Sequence, residues 1–255
     1  MGAMTKSTGS RFSRTLFWLT VLILVPSGLL ALYWLATLPD VSWLAKHNPK
    51  ETALIEARRV QARDQGRTLR SQWIWVPMSR ISPYLQRAVV ATEDASFFMH
   101  EGFDWEGIKD AAVYNLEAGE FKRGGSTITQ QLAKNLYLSP ERSLFRKAQE
   151  ALITRSLEHQ LTKPRILELY LNVAEWGHGI FGAEAAARHH FGKSAAEVTM
   201  EEAALLAAIL PSPRRYDPMR ITKYLRNRQQ HILHRIERGD GRRPVSMRSQ
   251  HARPR

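Results

Sequence analysis

A chain of 255 residues has room for one sizeable domain with appendages. Its 37 Lys and Arg against 24 Asp and Glu give a formal charge of +13, which suits an anionic partner such as nucleic acid, a phospholipid surface or a phosphorylated substrate. Cysteine is absent, so disulfide bonds and thiolate chemistry are excluded.

Residues 15–38, TLFWLTVLILVPSGLLALYWLATL, run for 24 positions without a charge. That exceeds the roughly 20 residues a helix needs to cross a bilayer. Trp18, Tyr33 and Trp34 fall near its two ends, where aromatic rings favour the headgroup region. A cleaved signal peptide has a shorter apolar core, about 7–15 residues, with a small-residue cleavage site. The run therefore predicts an uncleaved anchor. Lys6, Arg11 and Arg14 precede it, whereas Asp40 and Lys46 follow. This bias predicts a cytoplasmic N-terminus (1–14) and a domain outside the cytoplasm. There, ATP and nucleotide sugars are lacking, which disfavours kinases and nucleotide-sugar transferases, and nucleic acid is not an expected partner.

Residues 39–70 read as a polar, Arg-rich linker helix, either solvated or touching lipid headgroups. QWIWVP (72–77) is aromatic and ended by proline, and it is the one strand the pattern predicts. After Pro83 the chain becomes mostly helical. YLQRAVVATED has apolar residues at helical spacing and delivers Glu93 at a helix end. LEAGEFKRGG (116–125) reads as a glycine-punctuated loop. Helices follow over STITQQLAKNLYL, residues 142–161, and KPRILELYLNVAEW, where Pro164 suits a first turn and Gly177 a stop. Two more cover AEAAARHHF and EEAALLAAILPSP, and the basic final stretch, 237–255, has too few apolar residues to bury and is expected to be a disordered tail.

Three clusters could do chemistry. In ATEDASFFMHEGFDW (91–105), Glu93 stands among apolar neighbours that would raise its pKa toward that of a general base. His100 with Asp94 or Asp104 could bind a metal, or more ordinarily brace the loop. In GGSTITQQLAKN (124–135), Thr127 and Gln130 have capping-box spacing, and Gln131 and Lys134 share the face of Thr127 opposite Ile128, Leu132 and Leu136. A helix start with a lysine further along suits oxyanions, although the same pattern describes a well-capped surface helix. Arg146, Lys147 and Glu150 can also share one face, as a phosphate-side cluster or as a solvated ion pair. Two glutamates on separate helices with intervening cations would serve glycosyl transfer from a diphosphate leaving group.

TEDASFFMHEGFDW, GGSTITQQLAKN, RKAQEALITRSLE and KPRILELYLN resemble, in order, the motifs of the peptidoglycan glycosyltransferase family, shared with class A penicillin-binding proteins. NVAEWGHGIFGAEAAARHHF looks like its monofunctional Gram-negative branch, with His190 where tyrosine is common. The resemblance covers about 70–236 and implies a mainly α, lysozyme-like domain (71–236) with a membrane-proximal lobe, on one transmembrane helix of the bacterial inner membrane. It implies polymerisation of lipid II onto lipid-linked glycan, with inversion and release of undecaprenyl pyrophosphate. Carried over by position, Glu93 matches the general base and Glu150 the second essential glutamate. Lys134, Arg146 and Lys147 match cations around the diphosphate. Asp94, Phe97, His100, Ser126, Thr127, Gln131 and Asn135 match residues that shape or brace the cleft. A divalent cation (Mg or Mn) assists several members, but no ligand set for a metal is readable here. Cell-division or cell-wall synthesis proteins are the implied protein partners. S-x-x-K is absent, so cross-linking is not expected. A lysozyme-like lytic enzyme and a non-catalytic cell-wall scaffold are the competing readings.

Overall fold

The computed structural model describes residues 9–119, 124–141 and 143–240, in two units, 1–39 and 40–255. The first is a single helix, α1 (Gly9–Thr37), about 43 Å long at 1.5 Å per residue. Within it, Ser13–Leu30 is long and apolar enough to cross a membrane, and Leu16, Leu22 and Ile23 are exposed. The hydroxyls of Thr20 and Ser27 donate back to the carbonyls of Leu16 and Ile23, so neither needs water.

The second unit contains α2 (Ala53–Asp64), β1 (Gln72–Trp73), α3 (Pro83–Glu93), α4 (Trp105–Ala118), α5 (Ile128–Tyr137), α6 (Leu144–Gln160) and α7 (Lys163–Val173). After these come β2 (Glu175–Gly177), β3 (Ile180–Phe181), α8 (Ala183–Phe191), α9 (Met200–Ile209) and α10 (Lys223–Glu237). Beyond its acidic first turn, helix α9 is apolar all round, and Ala203 to Ile209 are buried, as that composition requires. It packs against α3 and α10, while α5 packs against α2, α6 and α7. The site lies where the end of α3 meets the start of α5.

Several expectations need correction. Residues 39–70 are not a solvated linker helix: Leu44 and Ile55 are buried, α2 packs on α5, and Arg58 pairs with buried Glu175. QWIWVP is not the only strand among the described residues. β1 runs parallel to β3, which pairs antiparallel with β2, with Gln72 opposite Ile180 and Trp73 opposite Phe181. The helix beginning at Lys163 ends at Val173, four residues short of Gly177, because residues 175–177 join this sheet. Asn172 secures the junction. Its amide donates to Val76 O at 3.0 Å and accepts from Val76 N at 3.0 Å, acting as a strand partner for the β1 extension. Gly182 (φ +83°) follows, and a Cβ there would lie 2.7 Å from Asn172 O, so only glycine fits without a shift. His190 donates to Trp176 O at 3.1 Å, and its burial lowers its pKa.

The loop expected from 116 onward begins later, since α4 continues through Ala118 and is stopped by left-handed Gly119. Residues 120–123 of that loop and 241–255 of the expected tail lie outside the described residues.

Candidate active site

Glu93 is the last residue of α3, and the backbone leaves the helix at Asp94. Phe97 and Phe98, both buried with rings 5.0 Å apart, anchor the chain beyond. Asp94 makes the turn useful. One carboxylate oxygen accepts the Ile128 N–H at 2.9 Å, at the positive end of α5. The other accepts from His100 Nε2 at 2.9 Å. His100 Nδ1 accepts the Gly102 N–H at 3.0 Å, which places the ring proton on Nε2. Thr127 donates to Gly102 O at 2.7 Å and closes the capping box with Gln130. His100 and Thr127 thus brace the loop. Asp104 caps α4 through the Gly107 N–H at 2.8 Å. No group of three or more His, Asp or Glu suited to a metal occurs among the described residues.

The stripe of Ile128, Leu132 and Leu136 is buried, which turns Gln131, Lys134 and Asn135 toward an open groove. Gln131 Nε2 donates to Glu93 Oε2 at 2.9 Å, and its Oε1 accepts the Tyr170 hydroxyl at 2.9 Å. The accepting carboxylate oxygen takes the NH2 end of the amide, which leaves the amide oxygen for the tyrosine hydroxyl. Burial raises the pKa of Glu93, against the Gln131 hydrogen bond and the charges of Arg228 and Lys134. Crowding by protein lowers that of Lys134, with Arg146 and Lys147 adding repulsion and Glu150 opposing both.

Arg146 and Lys147 are not a solvated pair with Glu150, whose side chain is 4 % exposed. Arg146 Nη1 donates to it at 2.8 Å, Lys147 Nζ donates to its other oxygen, and Lys147 also reaches Ser126 Oγ at 3.4 Å. Glu150 is thereby a buried anchor that aims two cations. Arg146 Nε is buried without a hydrogen-bond partner.

Two hollows form the groove. One, about 880 Å³, is lined by Glu93, Asp94, Ser126, Thr127 and Gln131. The other, about 460 Å³, is lined by Gln131, Lys134, Asn135, Arg146 and Tyr170. Gln131 and Pro211 line both, so Glu93 and the Lys134–Arg146 pair border one trough. Phe97, His100 and Glu150 sit behind its walls. The sequence reading missed Tyr170, whose hydroxyl sits on an otherwise apolar buried face of α7. It also missed Arg228, His231 and Arg235 of α10, which line the larger hollow at helical spacing.

Residues 61–237 match the sequence profile of a family described as Transglycosylase. Three relatives bear the name biosynthetic peptidoglycan transglycosylase. That of Herminiimonas arsenicoxydans is 47% identical over 223 residues, covering 88% of this chain and 95% of its own length. That of Dechloromonas aromatica is 48% identical, with 88% and 96% covered. The Azoarcus sp. BH72 protein is 50% identical over 200 residues, with 78% and 87% covered.

Proposed function

The chain belongs to the transglycosylase family, and from that premise we propose how its groove polymerises the lipid-linked disaccharide-peptide, lipid II, into peptidoglycan glycan strands. The observation that supports the reading best is the trough itself. A carboxylate of raised pKa stands on one side of Gln131, and Lys134 with Arg146 stands on the other.

In this reading Glu93 takes the proton of the acceptor 4-hydroxyl as its oxygen attacks the donor anomeric carbon. The new O4–C1 bond forms as the bond from C1 to the diphosphate oxygen breaks, and undecaprenyl pyrophosphate leaves with the electron pair. Attack opposite the leaving group inverts an α-linked donor to a β-1,4 product. Lys134, Arg146 and Lys147 neutralise charge on the departing diphosphate, which matters more than protonating so good a leaving group. The unpaired Arg146 Nε–H is a donor suited to a phosphate oxygen. A hydrolase of neutral sugar linkages has no use for such a cluster.

Lys134→Ala is expected to lower lipid II polymerisation by about 10²-fold with an unchanged melting temperature, because the side chain lies on the open face of α5. Wild-type turnover in this variant would remove the diphosphate role. The pH profile gives a second check. Glu93 must be ionised to act, so the acid limb of kcat/KM should lie above the ordinary carboxylate range. Gln131→Leu deletes a hydrogen bond that favours the ionised form, so the limb should move to higher pH. A limb that stays put would argue against Glu93 as the titrating base.

The reading also sets α1 across the bacterial inner membrane with the enzyme outside the cytoplasm, supported by the charge bias around it. Exposed Val113 and Leu116 on α4 and Leu144 on α6 suit a lipid surface. Protease added outside spheroplasts should digest the second unit; full protection would reverse the topology.

A further inference from the structure

A third hollow, about 340 Å³, opens beside α2 and the β2–β3 turn. Its walls carry Arg58, Arg67, Arg70, Arg214, His178 and Glu175. Four arginines and one glutamate line it, so the hollow is cationic. Arg58 spends its charge on Glu175, donating from Nε at 2.8 Å and Nη2 at 2.7 Å to the same oxygen, Oε2. The amides of Gln61 and Gln65 accept from Arg214 at 2.9 Å and from Arg67 at 2.8 Å. These contacts orient the two arginines without neutralising them. Among the described residues, Arg67, Arg70 and Arg214 have no carboxylate partner.

Two features point to a ligand. Glu175 is 6 % exposed, and its second oxygen, Oε1, is buried with no hydrogen-bond partner, a costly state unless something completes it. Moreover, Arg58 and Glu175 line this hollow and the Lys134–Arg146 half of the groove alike. The two spaces therefore share that ion pair as a common wall, and a ligand held in the groove has a charged annex within reach.

We propose that this annex is a subsite for the stem peptide of the lipid-linked substrate, with Arg67, Arg70 and Arg214 taking peptide carboxylates and Glu175 Oε1 accepting a peptide N–H. The assignment rests on the catalytic reading of the groove, since it takes its ligand to be part of that substrate. Sugar hydroxyls give arginine forks little to pair with, whereas a carboxylate matches the planar guanidinium in charge and geometry. The peptide is the part of the disaccharide-peptide that supplies such groups. The subsite would let the enzyme sense the peptide while chemistry proceeds at the sugar.

The test uses the full-length protein in detergent with two forms of lipid II, one with free peptide carboxylates and one with them amidated. The wild-type enzyme should show a KM about tenfold higher for the amidated form, with kcat little changed. Arg67→Gln combined with Arg214→Gln should raise KM for the carboxylate form to a similar degree and erase the difference between the forms. Arg70→Gln provides a second variant if the pair lowers the melting temperature. Equal wild-type KM values would overturn the proposal. So would variants that lose as much on the amidated form, because the arginines would then be serving membrane phosphate or the fold. Failure of the wild-type enzyme to polymerise either form would instead defeat the catalytic reading, and the subsite would fall with it.

Discussion

Glu93→Gln is expected to lower glycan polymerisation by about 10²–10⁴-fold, the usual contribution of a positioned general base. The substitution keeps the size of the side chain and an oxygen able to accept the Gln131 amide, so the groove should keep its shape. Stability should move the other way. A carboxyl whose folded pKa is raised by burial costs stability as pH rises from its unfolded value, about 4.3, through the folded one. At neutral pH that cost is present in the wild-type protein and absent from the glutamine variant. The variant should therefore melt at the same temperature or higher, and the gap should shrink as the pH is lowered through the folded value and vanish below the unfolded one. An inactive protein that also melts much earlier would mean that Glu93 supports the fold rather than the chemistry.

Glu150→Ala should damage both. Its buried carboxylate is the common partner of Arg146 and Lys147. Removing it leaves the Arg146 guanidinium, with its side chain 16 % exposed, unpaired in a half-closed site. Breaking a buried pair in this way costs about 2–3 kcal/mol, to which the half-exposed Lys147 adds little. For a domain of this size that is a fall of about 5–10 °C in Tm. Polymerisation should drop as well, even at temperatures where the variant remains folded, because neither cation is then held toward the groove. Thermal melting and turnover measured on one preparation separate the two effects. Full turnover in a folded Glu150→Ala protein would mean that the cations need no anchor.

What the sequence revealed was mostly local. The capping box at Thr127, the buried stripe on α5 and the placement of Glu93 at a helix end each depend on residues a few positions apart, and each is present. What it concealed depends on distant partners. Arg58 and Glu175 are separated by 117 positions, and their pairing turns an apparent linker into part of the domain. The β-sheet is built from strands of two or three residues, too short for any periodicity, and it forms because Asn172 and the β2–β3 turn bring them together. Tyr170 reads as core until its hydroxyl is seen on Gln131, 39 residues away. The basic row on α10 resembles any solvated helix face until Glu93 is found across the hollow from it.

The most direct measurement incubates the full-length protein with lipid II in detergent and counts new glycosidic bonds and undecaprenyl pyrophosphate together. One pyrophosphate released for each β-1,4 bond formed, with preformed lipid-free glycan left intact, is the predicted result. Cleavage of the preformed glycan, or diphosphate loss without strand growth, would contradict a groove that joins a deprotonated acceptor to a lipid-borne donor.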